Sequence, residues 1–179
     1  MDSSGHSVDR ENRALSSRPQ LICRHDCVRT PGAMEFKTTR FGQLDIRQDE
    51  IITFPNGMIG FDGHTKWAIL ADDSNDSVGW LQSLEDPGLA FAVVSPRRYI
   101  PSYKVRISPE QASSLQIDAG METFVLVVVS REDGLVTVNL RAPLLVNLSL
   151  QVGRQVITTD EQPLRHVIAT ETIPLRRSA

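Results

Sequence analysis

The sequence predicts a mainly β protein: one small antiparallel β-barrel domain carrying a single short helix at about 109–116. Three observations lead there. Apolar residues recur in runs of four to eight with period two or none, the spacing of half-buried and fully buried strands. Gly, Pro, Asn and Asp punctuate those runs every few residues, the turn chemistry of hairpins. Only one stretch, Ser108-Pro109-Glu110-Gln111, has a strong helix start. There Ser is the cap, Pro occupies the first helical position and Gln follows three residues after the cap. Many short strands and one helix argue for a closed or nearly closed barrel.

Residues 1–33 stand apart. They hold several Ser and Arg, scattered acids and no apolar periodicity, and they end in Thr30-Pro31-Gly32-Ala33. Such a segment buries too little apolar surface to offset its ordering entropy, so a disordered tail is expected. Met34 is an alternative start. Cys23-Arg24-His25-Asp26-Cys27 offers soft or borderline ligands within five residues, but without the two-residue gap of zinc sites. A solvated tail is the simpler account. The domain then runs 34–168, and 169–179 form a second tail.

From Glu35 the chain reads as strands. Phe36–Phe41 and Leu44–Ile46 flank a break at Gly42-Gln43. Ile51–Phe54 is halted by Pro55-Asn56-Gly57, with a left-handed position expected at the glycine. Met58–Phe61 reads as a buried loop in which Gly60 permits close backbone approach. Trp67–Leu70 is a short strand, and Asp72-Asp73-Ser74-Asn75-Asp76 is an acidic loop. Trp80–Leu84 alternates, Glu85-Asp86-Pro87-Gly88 turns the chain, and Leu89–Val94 is a core strand. Asp86 is placed to bond the backbone two residues on. Trp80 and Leu84 share a strand face, expected to point inward. Tyr103–Ile107 alternates, Thr123–Val129 is a β-branched core strand, and Arg131-Glu132-Asp133-Gly134 turns into Leu135–Leu140. Pro143 interrupts that run and Leu144–Val146 resumes it. A last hairpin is expected about Gly153-Arg154.

Composition narrows the function. The 179 residues are 40% hydrophobic, 23% charged and 6% aromatic, with a net charge of −3. That is ordinary for one soluble domain with an aliphatic core. No window approaches the ~20 apolar residues of a membrane helix, and no secretory h-region opens the chain. A cytoplasmic protein without direct nucleic-acid or membrane binding is expected. No nucleophile elbow, Walker loop, zinc helix or dinucleotide fingerprint occurs, so no enzyme, cofactor or metal is expected. Outside the tail the only histidines are His64 and His166, far apart in sequence. A lone loop histidine is more often a satisfied surface residue than an acid–base group.

Four segments carry a resemblance. Ile52-Thr53-Phe54-Pro55-Asn56-Gly57-Met58-Ile59-Gly60-Phe61, the Trp80–Phe91 stretch, Val138-Asn139-Leu140-Arg141-Ala142-Pro143 and Pro163-Leu164-Arg165-His166 occur in the order and spacing of the flagellar assembly factor FliW family. The chain resembles that family from about Met34 to His166. It departs from the usual pattern at Asn56 and Ile59, where the family has Glu and Pro. The Trp-Leu-Gln-Ser-Leu-Glu-Asp-Pro string is the most specific part.

The resemblance implies a protein-binding regulator. Members bind the translational repressor CsrA and antagonise its grip on flagellin messenger RNA. They also bind flagellin, whose accumulation sequesters them. An acidic protein suits a partner whose RNA-binding surface is basic. The candidate partner-contacting residues are Asp72, Asp73, Asp76, Glu85 and Asp86, with Asn139 and Arg141 from the third matching segment. For each acid the plainer reading is a solvated loop charge. An RNA-binding barrel is the alternative by architecture, but it calls for a basic groove with exposed aromatics. A metal-dependent enzyme would rest on the tail cluster alone.

Overall fold

The computed structural model describes residues 32–115 and 123–170, and the two-residue strands β1 (His6–Ser7) and β2 (Ile22–Cys23). A hairpin of β3 (Met34–Thr38) and β4 (Gly42–Ile46) comes next, followed by a 3-10 turn at Gln48–Glu50 and β5 (Ile51–Thr53). β6 (Lys66–Ala71), β7 (Val78–Ser83) and β8 (Ala90–Val94) form a meander. β9 (Arg106–Ile107) leads into the helix α1 (Pro109–Ser114). β10 (Thr123–Glu132), β11 (Leu135–Val138), β12 (Leu144–Asn147), β13 (Val152–Gln155) and β14 (His166–Thr170) complete the chain.

Seven strands close a barrel in the order β12-β13-β5-β6-β7-β8-β10, with β10 pairing back onto β12. Every contact in that ring is antiparallel except β13 with β5, which is parallel at Val152 and Thr53. β11 and β14 extend the sheet from the far half of β10. The long strand β10 therefore serves both: Thr123–Leu126 pair with β12, and Val129–Glu132 pair with β11. β3 and β4 form a separate hairpin.

The core has three parts. Ile52, Trp67, Ile69, Leu81, Leu126, Leu144 and Val146 fill the barrel. Val94, Tyr103, Ile107, Leu115, Val125, Val127, Leu140 and Leu145 form a second cluster with α1 and β9. Alternate residues of β10 and β12 thus go to different clusters. Burial on both faces explains why these strands read as unbroken apolar runs. The third cluster, Leu44, Ile46, Ile51, Ala68 and Leu70, lies where the β3–β4 hairpin packs on the outside of β6 and β7.

The helix start is as the sequence indicates. Ser108 Oγ accepts from Gln111 N, and Gln111 Oε1 accepts from Ser108 N. Gly57 is left-handed, at φ +64°. Several local expectations are corrected. The first hairpin turns over Thr39–Phe41, and Gly42 opens β4 at φ +70°. Gly60 is left-handed at φ +82° but has open space around it; the close approach is at Gly57, where a Cβ would lie 2.6 Å from Asp62 Cα. Gly153-Arg154 is not a turn but the middle of β13, because the Phe54 ring presses on Gly153 and leaves no room for a side chain. Trp80 and Leu84 do share a face, but it is the outer one, half-buried under the β3–β4 hairpin, while Leu81 points into the barrel. The described length of α1 ends at Ser114 rather than 116, and β14 runs past 168 to Thr170.

Candidate functional site

The turn after β7 is held from inside. Gln82 is fully buried, and its Nε2 lies 2.9 Å from Ser83 O, 3.0 Å from Leu89 O and 3.2 Å from Asp86 O. The carboxamide therefore pins both arms of the turn, while its Oε1 is buried without a partner. Ser83 Oγ accepts from the backbone N–H groups of Glu85 and Asp86 at 3.1 and 3.2 Å. Its own hydrogen is left for Nδ1 of His64, 2.9 Å away. His64 is half-buried, with its ring between those of Phe61 and Trp67, and its carbonyl accepts from Trp67 Nε1.

Both carboxylates of this corner are engaged. Asp86 Oδ1 accepts from Gly88 N at 2.7 Å, the turn bond read from the sequence. The Glu85 carboxylate reaches back to the start of β6, accepting from Thr65 Oγ1 at 3.0 Å and from Lys66 N at 3.0 and 3.1 Å. Thr39 N donates to Pro87 O, which ties the tip of the β3–β4 hairpin to the corner. Glu85 and Asp86 are exposed, yet they are building parts of the turn.

The acidic loop between β6 and β7 is organised differently. Asp72 Oδ1 accepts from Ser74 N and Oγ at 2.9 and 2.7 Å, and Oδ2 accepts from Trp80 Nε1 at 2.8 Å. The indole bond, helped by Ser74, holds the Asp72 carboxyl below its ordinary range. Asn75 Oδ1 accepts from Ser77 N. Asp73 and Asp76 are exposed on this loop. Above Trp80 lies Arg40, its guanidinium carbon 3.8 Å from the ring centroid, and Phe41 meets the indole edge-on at 5.7 Å. This Arg40–Trp80–Asp72 stack joins the hairpin tip to the acidic loop. No sequence signal pairs Arg40 with Trp80, because the two meet only when the hairpin folds onto the barrel.

The five acids do not form one surface. The loop Asp72–Asp76 joins the sheet at the Ala71–Gly79 pair, and the Glu85–Asp86 corner leaves it after the Trp67–Ser83 pair. Those are opposite ends of β7, about 17 Å apart for a six-residue strand. Asn139 and Arg141 lie toward the acidic-loop end. Asn139 N donates to Val128 O, and Val128 sits opposite Val93, one row from the Val78–Val94 pair where the loop rejoins the sheet. Asn139 Oδ1 accepts from Arg141 N and Ala142 N at 3.0 and 3.1 Å, so Asn139 shapes the turn and Arg141 is the exposed member.

Among the described residues no group of three or more His, Cys, Asp or Glu is placed to hold a metal ion. The Cys23, His25 and Cys27 side chains lie outside the described residues. No described helix is long and apolar enough to cross a membrane. The acidic loop carries the exposed carboxylates of Asp73 and Asp76 beside the Arg40–Trp80–Asp72 stack.

Comparison with known proteins bears on the family and the fold. The family model for FliW protein matches residues 35–168. The flagellar assembly factor FliW of Bdellovibrio bacteriovorus is 33% identical over 129 residues, covering 71% of this chain and 74% of that protein. Its counterpart in Ruminiclostridium cellulolyticum is 36% identical over 142 residues, covering 77% of this chain and 96% of that protein. A crystal structure of the flagellar assembly factor FliW superposes with a TM-score of 0.72 at 26% identity, covering 78% of this chain and 100% of the other. With this match running from the β3–β4 hairpin through the barrel to β14, the chain belongs to the FliW family of flagellar assembly factors.

Proposed function

We propose that this flagellar assembly factor works as a protein-binding regulator rather than as an enzyme. It binds a CsrA-like translational repressor, prevents that repressor from holding flagellin messenger RNA, and is itself sequestered by flagellin in the cytoplasm. One observation carries the reading: the chain belongs to the FliW family over residues 35–168. Within that frame, the surface favoured for the repressor is the acidic-loop end, with Asp73 and Asp76 exposed on the loop and Asn139 and Arg141 beside it. Glu85 and Asp86 are given a supporting role in this reading, because the Glu85 carboxylate also accepts from Thr65 and Lys66 and Asp86 Oδ1 from Gly88.

The physical logic is electrostatic. Carboxylates held out from a rigid loop attract a basic RNA-binding surface and repel phosphate once seated there. Isothermal calorimetry of the purified chain against the repressor from the same organism tests this. Heat of binding and co-elution at micromolar concentration are expected. Absence of both contradicts the reading. Residues 1–33 lie outside the family match. Against the expectation of a wholly disordered tail they contribute two two-residue strands, β1 on β9 and β2 on β6. Because these add only strand margins, a chain beginning at Met34 is expected to keep the barrel and to bind as the full chain does. A thermal midpoint lowered by many degrees, or zinc lost with the segment, would contradict that expectation.

A further inference from the structure

The main-chain bonds of β6 leave part of one edge open to a further strand. β6 is buried from Trp67 to Leu70. Toward β7 the even-numbered residues supply the bonds: Lys66 O accepts from Leu84 N, and Asp72, just past the strand, donates to Val78 O. Main-chain groups alternate in direction along a strand, so Trp67, Ile69 and Ala71 turn their N–H and C=O groups the other way. Thr65 O, of the same odd-numbered set, accepts there from Phe54 N. β5 pairs along that side only as far as Ile51 with Ala68, and the chain before it departs in the 3-10 turn Gln48–Glu50. Ile69 and Ala71 lie beyond its reach. An unpaired main-chain group on a buried strand costs what a lost hydrogen bond costs.

β2 fills this gap. Ile22 pairs with Ile69 and Cys23 with Leu70, both in parallel. In a parallel ladder that register brings the N–H of Cys23 to Ile69 O and its C=O to Ala71 N. The open groups are thus met by main chain alone. The two sides differ in origin. Ile69 and Ala71 lie inside the family match at 35–168 and belong to the barrel, whereas Ile22 and Cys23 lie outside it. Two paired residues are few enough to open while the barrel stays closed, so the occupant is separable from the edge it covers.

We propose that the Ile69–Ala71 edge of β6 is a strand-addition site, which takes an extended peptide in parallel register through main-chain bonds, and that its occupant is this chain's own segment at Ile22–Cys23. This is strand augmentation in cis, in which the backbone supplies the attraction. The site adjoins the acidic loop, since Asp72 follows Ala71 directly, but it uses none of the loop carboxylates. Filling or emptying it therefore leaves the repressor contact intact, in accord with the binding expected of a chain beginning at Met34.

Amide hydrogen exchange of the full chain, read by NMR, tests the assignment. Cys23→Pro deletes the N–H that meets Ile69 O, whereas Cys23→Ala keeps it. The Ala71 amide is expected to exchange faster by about tenfold or more in Cys23→Pro, and at the wild-type rate in Cys23→Ala. The Trp67 amide, on the part of the edge that β5 covers, should change in neither variant and so verifies the barrel. If it does change, removal of residues 1–33 replaces the substitution. A peptide of residues 19–27 carrying Cys23→Ser and Cys27→Ser, added to the Cys23→Pro chain, should restore protection at Ala71. The same peptide carrying Cys23→Pro should not. Equal Ala71 exchange in the wild type and the opened chain overturns the occupant. Protection that is lost but that the added peptide fails to restore, or that both peptides restore alike, overturns the strand-addition site.

Discussion

Trp67 and Trp80 show how one residue type does two jobs on adjacent strands. Trp67 is fully buried in the barrel, edge-on to Phe54 and donating to His64 O. Trp80 is half-buried on the outer face, sandwiched between Arg40 and the strand, with its indole N–H on Asp72. Trp67→Ala is therefore expected to cost about 3–5 kcal/mol, the range for emptying a large core site. Trp80→Ala should cost less and should loosen the hairpin tip. Equal losses in urea melts would contradict this division. Trp80→Phe keeps most of the packing and deletes the donor. The Asp72 carboxyl, held low chiefly by that donor, should then titrate closer to its ordinary range. The sign follows: the Asp72 contribution is complete above the ordinary carboxylate range and disappears as pH falls through its lowered value. NMR titration of the Asp72 carboxyl carbon reads the change directly, and an unshifted curve would refute the role given to the indole.

At the scale of elements, the sequence is most legible where a side chain bonds its own neighbourhood. Ser108 with Gln111, Asp86 with Gly88 and the left-handed Gly57 all sit where local turn and cap chemistry puts them. Ser108→Ala should lower stability by about 1 kcal/mol, as cap removals do. The sequence is least legible where a residue answers to a distant partner. Gly153 looks like a hairpin turn, but it is glycine because of a ring 99 positions earlier in the chain: the Phe54 side chain occupies the space of its Cβ. Gly153→Ala should cost about 1–3 kcal/mol through overpacking. Adding Phe54→Leu should recover part of that loss; additive losses in the double variant would show that the clash is not the cause. The same limit hid the separation of the candidate acids. Asp72–Asp76 and Glu85-Asp86 are near in sequence, but the strand between them carries them to opposite ends.

For the whole molecule, closure of the barrel leaves the loops and the β3–β4 hairpin at its two ends as the surfaces not committed to strand pairing. The fold class was readable because turn signals and short apolar runs alternate throughout, and the parallel contact of β13 with β5 that closes the ring was not, since nothing local records it. The central claim is that the chain displaces RNA from the repressor by occupying it, with the acidic-loop end in contact. Filter binding of labelled flagellin leader RNA to the CsrA-like repressor, with increasing amounts of this chain, tests that claim most directly. RNA retention should fall as the chain is added, and the Asp73→Asn, Asp76→Asn variant should need markedly more protein for the same loss, most clearly at low salt. Undiminished retention at saturating chain, or retention of the RNA by the chain alone, would contradict the account.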